Sequence, residues 1–301
     1  MNVGVIGLGV MGKNHLRVLK QLPGVDIVGV CDIANKEDLG TPFYKDLDLM
    51  LEEKNFDALI IAVPTFLHKE IAFKCIKKGI NLLIEKPIAQ DKKEGEEIAA
   101  VAKENGVKTA IGYIERFNPV VLALKENLKD KEIYNISITR VGPIPPRITD
   151  VGILTDLSVH DIDLIRYISG KEIVKQNIFK SQKIHGNQED NAILSFILEG
   201  DITASITTNW LTPFKKRTIN IATKEVYFQA DLMNQTLAEY SSFEGTNKYN
   251  SYVISNIFVP KQEPLVNELN AFLHYVKTGE IKNLASAKDS IKTLEISQGV
   301  L

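Results

Sequence analysis

The chain has 301 residues, 44% of them hydrophobic and 25% charged, and a formal net charge of −2. These proportions are those of an ordinary globular protein with room for two domains. The charge balance provides no basic field, so we expect no nucleic acid as a partner. No stretch reaches the roughly 18 apolar residues that a membrane helix requires. The N-terminus enters a strand pattern without a signal segment, so we expect a cytoplasmic protein with no membrane partner.

A glycine-rich turn follows the first apolar run. Gly7, Gly9 and Gly12 form a G-x-G-x-x-G pattern that encloses Val10 and Met11, and a helical pattern begins at once. The first glycine permits a tight turn, the second lets backbone approach a pyrophosphate, and the third lets helix and strand pack closely. A helix N-terminus adds free N–H groups and partial positive charge. The pattern predicts a dinucleotide-binding βαβ unit rather than a purely structural turn.

An acidic residue ends the second apolar run, at the distance that such a unit requires. The run 25–30 is followed by Cys31 and Asp32. A carboxylate there accepts hydrogen bonds from ribose hydroxyls and repels a 2′-phosphate, and Lys36 is the one nearby cation to soften that repulsion. We therefore expect NAD as the cofactor, with NADP less favoured. Cys31 and Cys75 lack metal-type spacing and are expected to be buried, reduced thiols.

Strand and helix patterns alternate through the first third of the chain. The apolar runs 56–63, 80–84 and 108–112 have the composition of buried parallel strands. Helical patterns lie between them, near 66–78 and over 91–105, where Asp91 is the expected N-cap. The alternation predicts an α/β protein whose N-terminal domain, 1–118, is a doubly wound parallel sheet of the Rossmann type.

The pattern changes after about residue 117. A helix near 119–128 leads to a strand over 133–141, and the proline-rich segment 142–146 is expected to be an ordered, irregular loop. A helix is predicted over 156–169, ending at Gly170. Alternating runs such as 192–198 and 203–210 are separated by turns such as 199–201, and helices near 263–278 and 285–298 close the chain. We expect a second α/β domain, 119–301, with an open, mainly antiparallel sheet.

A lysine stands at the end of one predicted buried strand, in the sequence Glu85-Lys86-Pro87. Ligands of a doubly wound sheet bind beyond the carboxyl ends of its strands. Glu85 and Lys86 are therefore candidate cofactor contacts, and Lys86 is a candidate catalytic and substrate-binding group. The alternative is a solvated surface lysine, and position alone does not decide between them. A cis peptide bond before Pro87 would fix the direction of Lys86.

Asp156 and His160 lie four residues apart at the start of a predicted helix, so they are expected one turn apart on one face. A histidine beside a carboxylate can act as an acid–base pair, and both residues are candidate catalytic and substrate-binding groups. The alternative is a capping aspartate and a packing histidine. A metal ion held by these two residues and Asp163 is also conceivable. We expect no metal, because the chain has five histidines and no second ligand cluster.

The segment after the third strand pattern, 62–68, begins the next helix. Ala62, Pro64, Thr65 and His68 are candidate cofactor contacts, with a plain helix cap as the alternative for Thr65 and a surface position as the alternative for His68.

Several cations are candidates for contacting a phosphate-bearing substrate, because arginine suits bidentate phosphate contacts. Arg140 and Arg147 flank the proline-rich segment and are the better candidates; the others are Arg116, Lys215, Lys216 and Arg217. Each has a solvated surface charge as its alternative. Trp210 ends a predicted strand. One interpretation is that it stacks on a sugar or base, and the alternative is that it belongs to the core or to an interface.

Taken together, the motifs resemble the glucose-fructose oxidoreductase, inositol dehydrogenase and rhizopine catabolism (Gfo/Idh/MocA) family. The matching segments, which extend nearly from end to end, are 7–12, 64–68, 85–87, 116–119 and Asp156-x-x-x-His160-x-x-Asp163. The resemblance implies a Rossmann domain followed by an α/β domain whose open sheet often forms an oligomer interface. It also implies NAD(P)-dependent oxidation or reduction of a sugar, cyclitol or related hydroxyl. In that pattern Lys86 and His160 are the catalytic pair with Asp156 beside them, and Asn118 joins the substrate-binding candidates.

A narrower resemblance, carried by segments 112–119, 140–147 and 209–213, is to the UDP-N-acetylglucosamine 3-dehydrogenases of this family. It implies a nucleotide-sugar substrate, whose pyrophosphate needs cations such as Arg140 or Arg147. Two alternatives stay open: an inositol or free-sugar dehydrogenase, and a cofactor-binding regulator without turnover, which need not keep both Lys86 and His160. A homodimer or homotetramer assembled through the second-domain sheet is expected, because the runs in that sheet look apolar or small on both faces.

Overall fold

The computed structural model describes residues 1–34, 39–145, 152–184, 186, 188–242 and 252–300. The chain divides into two compact units, Met1–Ile114 with Glu263–Leu294 and Glu115–Gln262 with Glu295–Leu301. The helices found in the described residues are α1 (Val10–Leu19), α2 (Leu47–Glu53), α3 (His68–Lys77), α4 (Lys92–Glu104), α5 (Pro119–Asn127), α6 (Val159–Ser169), α7 (Pro264–Thr278) and α8 (Ala287–Ser297). None of these helices is long and apolar enough to cross a membrane.

The first unit contains a parallel sheet whose strand order is β3-β2-β1-β4-β5-β6. Its strands are β1 (Asn2–Ile6), β2 (Asp26–Cys31), β3 (Phe43–Tyr44), β4 (Ala58–Ile61), β5 (Asn81–Glu85) and β6 (Thr109–Gly112). The strands are continuous apolar runs because helices cover both faces, and all of β4 is buried. The order reverses between β1 and β4, which opens a ligand-binding crevice beyond the carboxyl ends of these strands. The predicted doubly wound Rossmann sheet is confirmed.

Helix caps follow the expected chemistry. The Asp91 carboxylate accepts a hydrogen bond from Glu94 N at 2.9 Å, so the predicted N-cap of α4 is confirmed. Asp46 caps α2 in the same way, through Asp48 N and Leu49 N. Both β3 and α2 lie in a stretch, 33–55, for which the sequence predicted no element. They are short, and only Met50 and Leu51 of α2 are buried.

The second unit contains a mainly antiparallel sheet in the order β14-β13-β12-β11-β7-β10-β9-β8. Its strands are β7 (Ile133–Pro143), β8 (Ile173–Ser181), β9 (Asn191–Leu198), β10 (Thr203–Asn209), β11 (Leu211–Thr223), β12 (Val226–Asp231), β13 (Thr236–Ser242) and β14 (Tyr252–Ile257). The pair β7 and β10 is parallel, and the other paired strands are antiparallel. This confirms the predicted open sheet.

The two faces of this sheet differ. Along β9, Ala192, Leu194, Phe196 and Leu198 are buried, whereas Ile193 is 48% exposed. The buried face joins side chains of α5 and α6 in one hydrophobic core. A period of two places alternate residues on opposite faces, so one face is packed and the other remains accessible.

The proline-rich segment 142–146 was expected to be irregular, and this is wrong for its first two residues. Strand β7 continues through Gly142 and Pro143, and Pro143 pairs with Leu211 of β11. Proline is tolerated at this position because it is the last residue of the strand, where few ladder hydrogen bonds remain to be lost. Pro146 lies outside the described residues.

The predicted domain boundary at residue 118 lies close to the first change of unit, after Ile114. The expected extent of the second domain, 119–301, is nevertheless wrong, because 263–294 belong to the first unit. Lys108 Nζ donates to Val276 O of α7 at 2.6 Å, and Ile111 N donates to Ala285 O at 2.9 Å. A helix that returns to an earlier domain has the same periodic pattern as one that stays, so the sequence alone could not assign it.

The glycine turn supplies a test of the fold. A Cβ at Gly12 would lie 1.8 Å from Gly7 O, whereas a Cβ at Gly9 would meet nothing within 4 Å. We expect Gly12→Ala to cost about 1–3 kcal/mol of unfolding free energy, since backbone must move. Gly9→Ala should cost less than about 1 kcal/mol, the loss of a glycine N-cap. Chemical denaturation measures both, and equal costs would contradict the tight approach at Gly12.

Candidate functional site

The glycine turn of the first unit forms a cradle suited to an anion. Gly7 has a φ of +87° and donates its N–H to Cys31 O at 2.8 Å, which ties the turn between β1 and α1 to the end of β2. Helix α1 starts at Val10 with Gly9 as its N-cap and no side-chain cap. Its first N–H groups, including that of Met11, therefore need a partner that is not a capping side chain. Together with the open space at Gly9, this geometry fits the phosphates of a dinucleotide.

Asp32 lies directly after β2 and is tied to the same turn. Its Oδ2 accepts a hydrogen bond from Leu8 N at 2.6 Å, and its Oδ1 accepts one from Ala34 N at 2.7 Å. Each carboxylate oxygen has a second lone pair, so Asp32 can still accept from ribose hydroxyls. Lys36 lies outside the described residues. Burial, with a smaller contribution from Asp32, raises the pKa of the neighbouring Cys31 thiol to about 11.

The two cysteines are free and buried, as predicted. Burial raises the pKa of Cys75 to about 12, so this thiol stays protonated at neutral pH. A neutral buried thiol packs as a small apolar side chain.

The segment after β4 forms a 3₁₀ turn, Thr65–Leu67, before α3 begins at His68. His68 is not at the surface: it is 1% exposed. Its Nδ1 lies 3.0 Å from Pro87 O and its Nε2 lies 3.0 Å from Val63 O. Burial lowers the pKa of His68, so the ring is neutral and donates from one nitrogen at a time. His68 thus links the ends of β4 and β5, with both nitrogens directed at backbone.

Lys86 is half-buried at the carboxyl end of β5, which contradicts the alternative of a fully solvated surface lysine. The bond between Lys86 and Pro87 is a cis peptide. The backbone around Lys86 is held from several sides. Ile88 N donates to Ser290 Oγ of α8 at 3.2 Å, and the Glu85 carboxylate lies 2.7 Å from the Nε2 of the buried His15 of α1. Helices α1, α3 and α8 therefore all contribute side chains to this turn.

The predicted cofactor-binding residues of the first unit fall at the ends of three neighbouring strands. Gly7, Gly9, Val10, Met11 and Gly12 follow β1; Ala62, Pro64 and Thr65 follow β4; Glu85 and Lys86 end β5. Strands β1, β4 and β5 are adjacent in the parallel sheet. Because carboxyl ends of parallel strands share one edge, these residues line the same edge, and Asp32 follows β2 beside them.

The second unit places Asp156 inside a helix irregularity and His160 directly after it. Residues Leu154–Ser158 form a π turn, and α6 follows and ends at Gly170 with φ +63°. A π turn bonds residues five apart, and residues four apart remain about one turn apart in either geometry, so the shared face of Asp156 and His160 stays a prediction. Glu189, rather than Asp156, caps the turn: its backbone oxygen accepts from Ile153 N and its carboxylate from Leu154 N.

Exposure separates the polar residues of this segment into two groups. Asp156 and His160 are partly exposed, whereas Asp161 and Asp163 are 0% and 1% exposed. A cavity of about 480 Å³ borders the turn, lined in part by Gly152, Leu154, Thr155, Lys180 and Glu189. Asp156 and His160 are not among the residues that line this cavity, and their catalytic role stays a prediction.

Two of the arginines expected to contact substrate are instead buried in ion pairs. Arg140 is 3% exposed; its Nε lies 2.8 Å from Asp161 Oδ1 and its Nη1 lies 2.8 Å from Glu115 Oε1. Arg116 is 5% exposed and bonds both oxygens of Asp163, with Nε 2.7 Å from Oδ2. Their charges are already neutralised by carboxylates, which corrects the expectation that they are free for a phosphate. The contact of Asp163 with Arg116 also argues against a metal there.

The charge network of Arg140 explains the pKa values around it. Burial would raise the pKa of Glu115, but Arg140 and Arg217 hold it below its usual range. Burial would lower the pKa of Arg140, and the two carboxylates outweigh this and raise it. For Asp161 burial dominates over Arg140, and its pKa is raised. Arg217, the third cation, lies 3.1 Å from Glu115 Oε1 and completes the cluster.

Asn118 and Trp210 are also buried and make structural contacts within the second unit. Asn118 is 3% exposed, caps α5 by accepting from Val120 N, and donates to Leu232 O at 3.0 Å. Trp210 is 2% exposed within the hydrophobic core, so the core alternative holds for it. Arg147 lies outside the described residues. The acidic partners Glu115, Asp161 and Asp163 were missed as structural groups, because nothing in their spacing marks a residue that will be buried beside arginine.

Comparison with known proteins gives two family matches and several relatives. Residues 1–113 match a model described as an oxidoreductase family with an NAD-binding Rossmann fold, and residues 136–228 match the GFO/IDH/MocA C-terminal domain. The UDP-N-acetylglucosamine 3-dehydrogenase of Acidithiobacillus ferrooxidans is 28% identical over 252 residues, 82% of this chain and 79% of that protein. Inositol 2-dehydrogenase 2 of Saccharopolyspora erythraea is 30% identical over 187 residues, which span 58% of this chain and 55% of that protein.

A solved structure shares the fold along the whole chain. UDP-N-acetylglucosamine 3-dehydrogenase GnnA from Acidithiobacillus ferrooxidans matches with a TM-score of 0.91 and 24% identity, covering 100% of this chain and 96% of that one. The two family models together account for most of the chain and agree with the Rossmann sheet and the open sheet described above. The resemblance predicted from the motifs is confirmed: the chain belongs to the Gfo/Idh/MocA family of oxidoreductases, whose N-terminal domain is an NAD-binding Rossmann fold.

Proposed function

We propose that this chain is an NAD-dependent dehydrogenase that oxidises a secondary hydroxyl of a sugar, with the 3-hydroxyl of UDP-N-acetylglucosamine as the first candidate. The observation that carries the reaction type is the position of Lys86, half-buried at the carboxyl end of β5 on a backbone held by three helices. The glycine turn and Asp32 lie in the same unit. The similarity to a UDP-N-acetylglucosamine 3-dehydrogenase over most of the chain supports the substrate.

Each side chain has a defined task in this proposal. The turn 7–12 and the start of α1 hold the pyrophosphate, and Asp32 holds the ribose. The bound cofactor supplies the hydride acceptor. Lys86 hydrogen-bonds the reacting oxygen and stabilises its developing negative charge. His160 removes the hydroxyl proton, since imidazole ordinarily titrates near neutral pH, and Asp156 orients or tunes it.

A cyclitol or free sugar is the second candidate substrate. It is supported by the inositol dehydrogenase relative and by the burial of Arg116 and Arg140, which leaves these cations committed to carboxylates. A substrate panel followed by reduced-cofactor absorbance separates the two candidates. Higher kcat/KM with UDP-N-acetylglucosamine than with myo-inositol or free sugars supports the first, and the reverse order supports the second. Tight cofactor binding without turnover of any polyol would support a regulator instead.

The cofactor preference is the first test of the site. The Asp32 carboxylate lies where a 2′-phosphate would bind, so we expect kcat/KM with NAD to exceed that with NADP by about tenfold or more. Asp32→Asn should narrow this ratio, because it removes the charge yet keeps one oxygen to accept a backbone hydrogen bond. Steady-state kinetics with both cofactors measures the ratio. Comparable efficiency of the wild type with both cofactors would refute the preference.

Removal of the proposed catalytic groups should lower turnover and leave cofactor bound. We expect Lys86→Ala and His160→Ala each to reduce kcat by about 10²–10⁴-fold, the usual contribution of acid–base groups. The double variant should lose much less than the product of the single losses, since both groups act on one oxygen. The exposed Lys93 and the histidine His274 of α7 supply matched alanine controls. Near-normal turnover in both single variants removes these residues from the mechanism.

We also propose a homodimer or homotetramer formed through the open face of the second-unit sheet. Large apolar side chains lie exposed on its strands, among them Phe179 at 67%, Ile193 at 48% and Tyr227 at 42%. Tyr240 packs edge-on to Tyr227 at 6.0 Å between ring centroids, which extends the aromatic surface over β12 and β13. Between them the face carries small residues such as Ser205. Large apolar side chains exposed on a sheet face favour association.

Light scattering at micromolar concentration tests this assembly. We expect the wild type to have at least twice the 33.6 kDa mass of one chain. Ile193→Asp together with Tyr227→Asp should shift it towards the monomer, because a charge buried in an apolar interface is costly. Leu49→Asp, at an exposed leucine of α2 in the other unit, is the control. A monomeric wild type would sink this proposal.

A further inference from the structure

A buried acidic side chain of the first unit takes no part in the mechanism above. Glu268 lies on α7 and is 0% exposed, and neither of its carboxyl oxygens has a hydrogen-bond partner among the described residues. Its electrostatic neighbour is Glu85, whose own carboxylate lies 2.7 Å from Nε2 of His15. His15 is also 0% exposed. Three titratable groups from α1, β5 and α7 thus form one cluster around Glu85, the residue that precedes Lys86.

The surroundings of Glu268 decide its charge. An ionised carboxylate buried without a donor is strongly disfavoured, and a like charge on Glu85 disfavours it further. Burial first, and then Glu85, raise the pKa of Glu268 well above its usual value. The imidazole of His15 is engaged by Glu85, and Arg17 of α1 pairs with the exposed Glu263 at the start of the α7 segment. Neither His15 nor Arg17 is a hydrogen-bond partner of Glu268.

We propose that Glu268 is a positioning residue for the Lys86 turn: it holds a proton at neutral pH, so that the cluster carries one negative carboxylate, on Glu85, which stays paired with His15. Two adjacent anions would repel each other and move Glu85 away from His15. Glu85 directly precedes Lys86, so such a movement would displace the turn. The part of this inference that concerns turnover rests on the proposed function, whereas the part that concerns the proton does not.

The protonation of Glu268 is tested by stability against pH. An unfolded chain releases the proton above a pH of about 4.3, whereas the folded chain keeps it, so folding of the wild type weakens as pH rises. Glu268→Gln cannot ionise and lacks this loss. We expect the unfolding equilibrium constant of the wild type, relative to Glu268→Gln, to rise by up to about tenfold per pH unit from pH 5 to pH 8. Glu104→Gln, at an exposed glutamate of α4, is the control and should follow the wild type.

The positioning role is tested by a comparison of two variants. Glu268→Ala opens space behind Glu85, and we expect it to lower kcat at least tenfold per folded active site, with cofactor affinity changed less than about threefold. Glu268→Gln should restore kcat to within about threefold of the wild type, because a neutral isostere replaces a neutral acid. A residue needed only for folding would change the amount of folded protein and leave kcat unchanged.

Each outcome decides the inference. A stability difference that stays constant or shrinks with rising pH means that Glu268 is ionised, and the proposal fails. A protonated Glu268 should be replaceable by a neutral side chain of the same shape, so the proposal also fails if Glu268→Gln does not fold. It fails as well if Glu268→Ala keeps full kcat. Should the wild type turn over no sugar at all, the proposed function is lost, while the pH dependence of stability still decides whether Glu268 carries the proton.

Discussion

The turn at Lys86 depends on hydrogen bonds that buried polar side chains make to its backbone. His68 contacts the carbonyls of Pro87 and Ile88, and Ser290 accepts from Ile88 N. Buried polar groups are tolerated only when they are bonded, and these contacts supply partners to backbone groups of the turn. The residues come from α3 and α8, which are more than two hundred positions apart in sequence. The direction of the chain after β5 is therefore fixed by packing of the whole first unit and not by the local sequence Glu-Lys-Pro.

In the second unit, buried ion pairs hold neighbouring elements in place. Arg140 lies between Asp161 and Glu115, and Arg116 bonds Asp163, two residues further along α6. Buried ion pairs add little net stability compared with apolar packing, yet removal of one partner costs about 3–5 kcal/mol because it strands the other charge. The cluster fixes residues 115–117, strand β7 and helix α6 relative to each other within that unit. It thereby fixes the start of α6, where His160 lies.

The sequence was sufficient wherever one local rule determined the outcome. The glycine turn, the parallel strands, the Asp91 cap and the alternation of β9 follow from steric limits, burial and period, which are visible in a few neighbouring residues. It was insufficient where a partner is distant. Arg140 and Trp210 are of residue types that often bind ligands. Only the folded chain shows that Arg140 is paired with Asp161 and that Trp210 is part of the hydrophobic core. The return of α7 and α8 to the first unit and the π turn at Leu154–Ser158 depend on such contacts too.

The stretch from Asp156 to Asp163 shows how one segment serves both structure and chemistry. Asp161 and Asp163 are buried and neutralise two arginines, whereas Asp156 and His160 are partly exposed. A regular α-helix capped by Asp156 would have used that carboxylate for its own amides. Here Glu189 caps the π turn instead, through its contacts with Ile153 N and Leu154 N. The segment therefore combines two partly exposed side chains, Asp156 and His160, with two acids, Asp161 and Asp163, that are buried beside arginines.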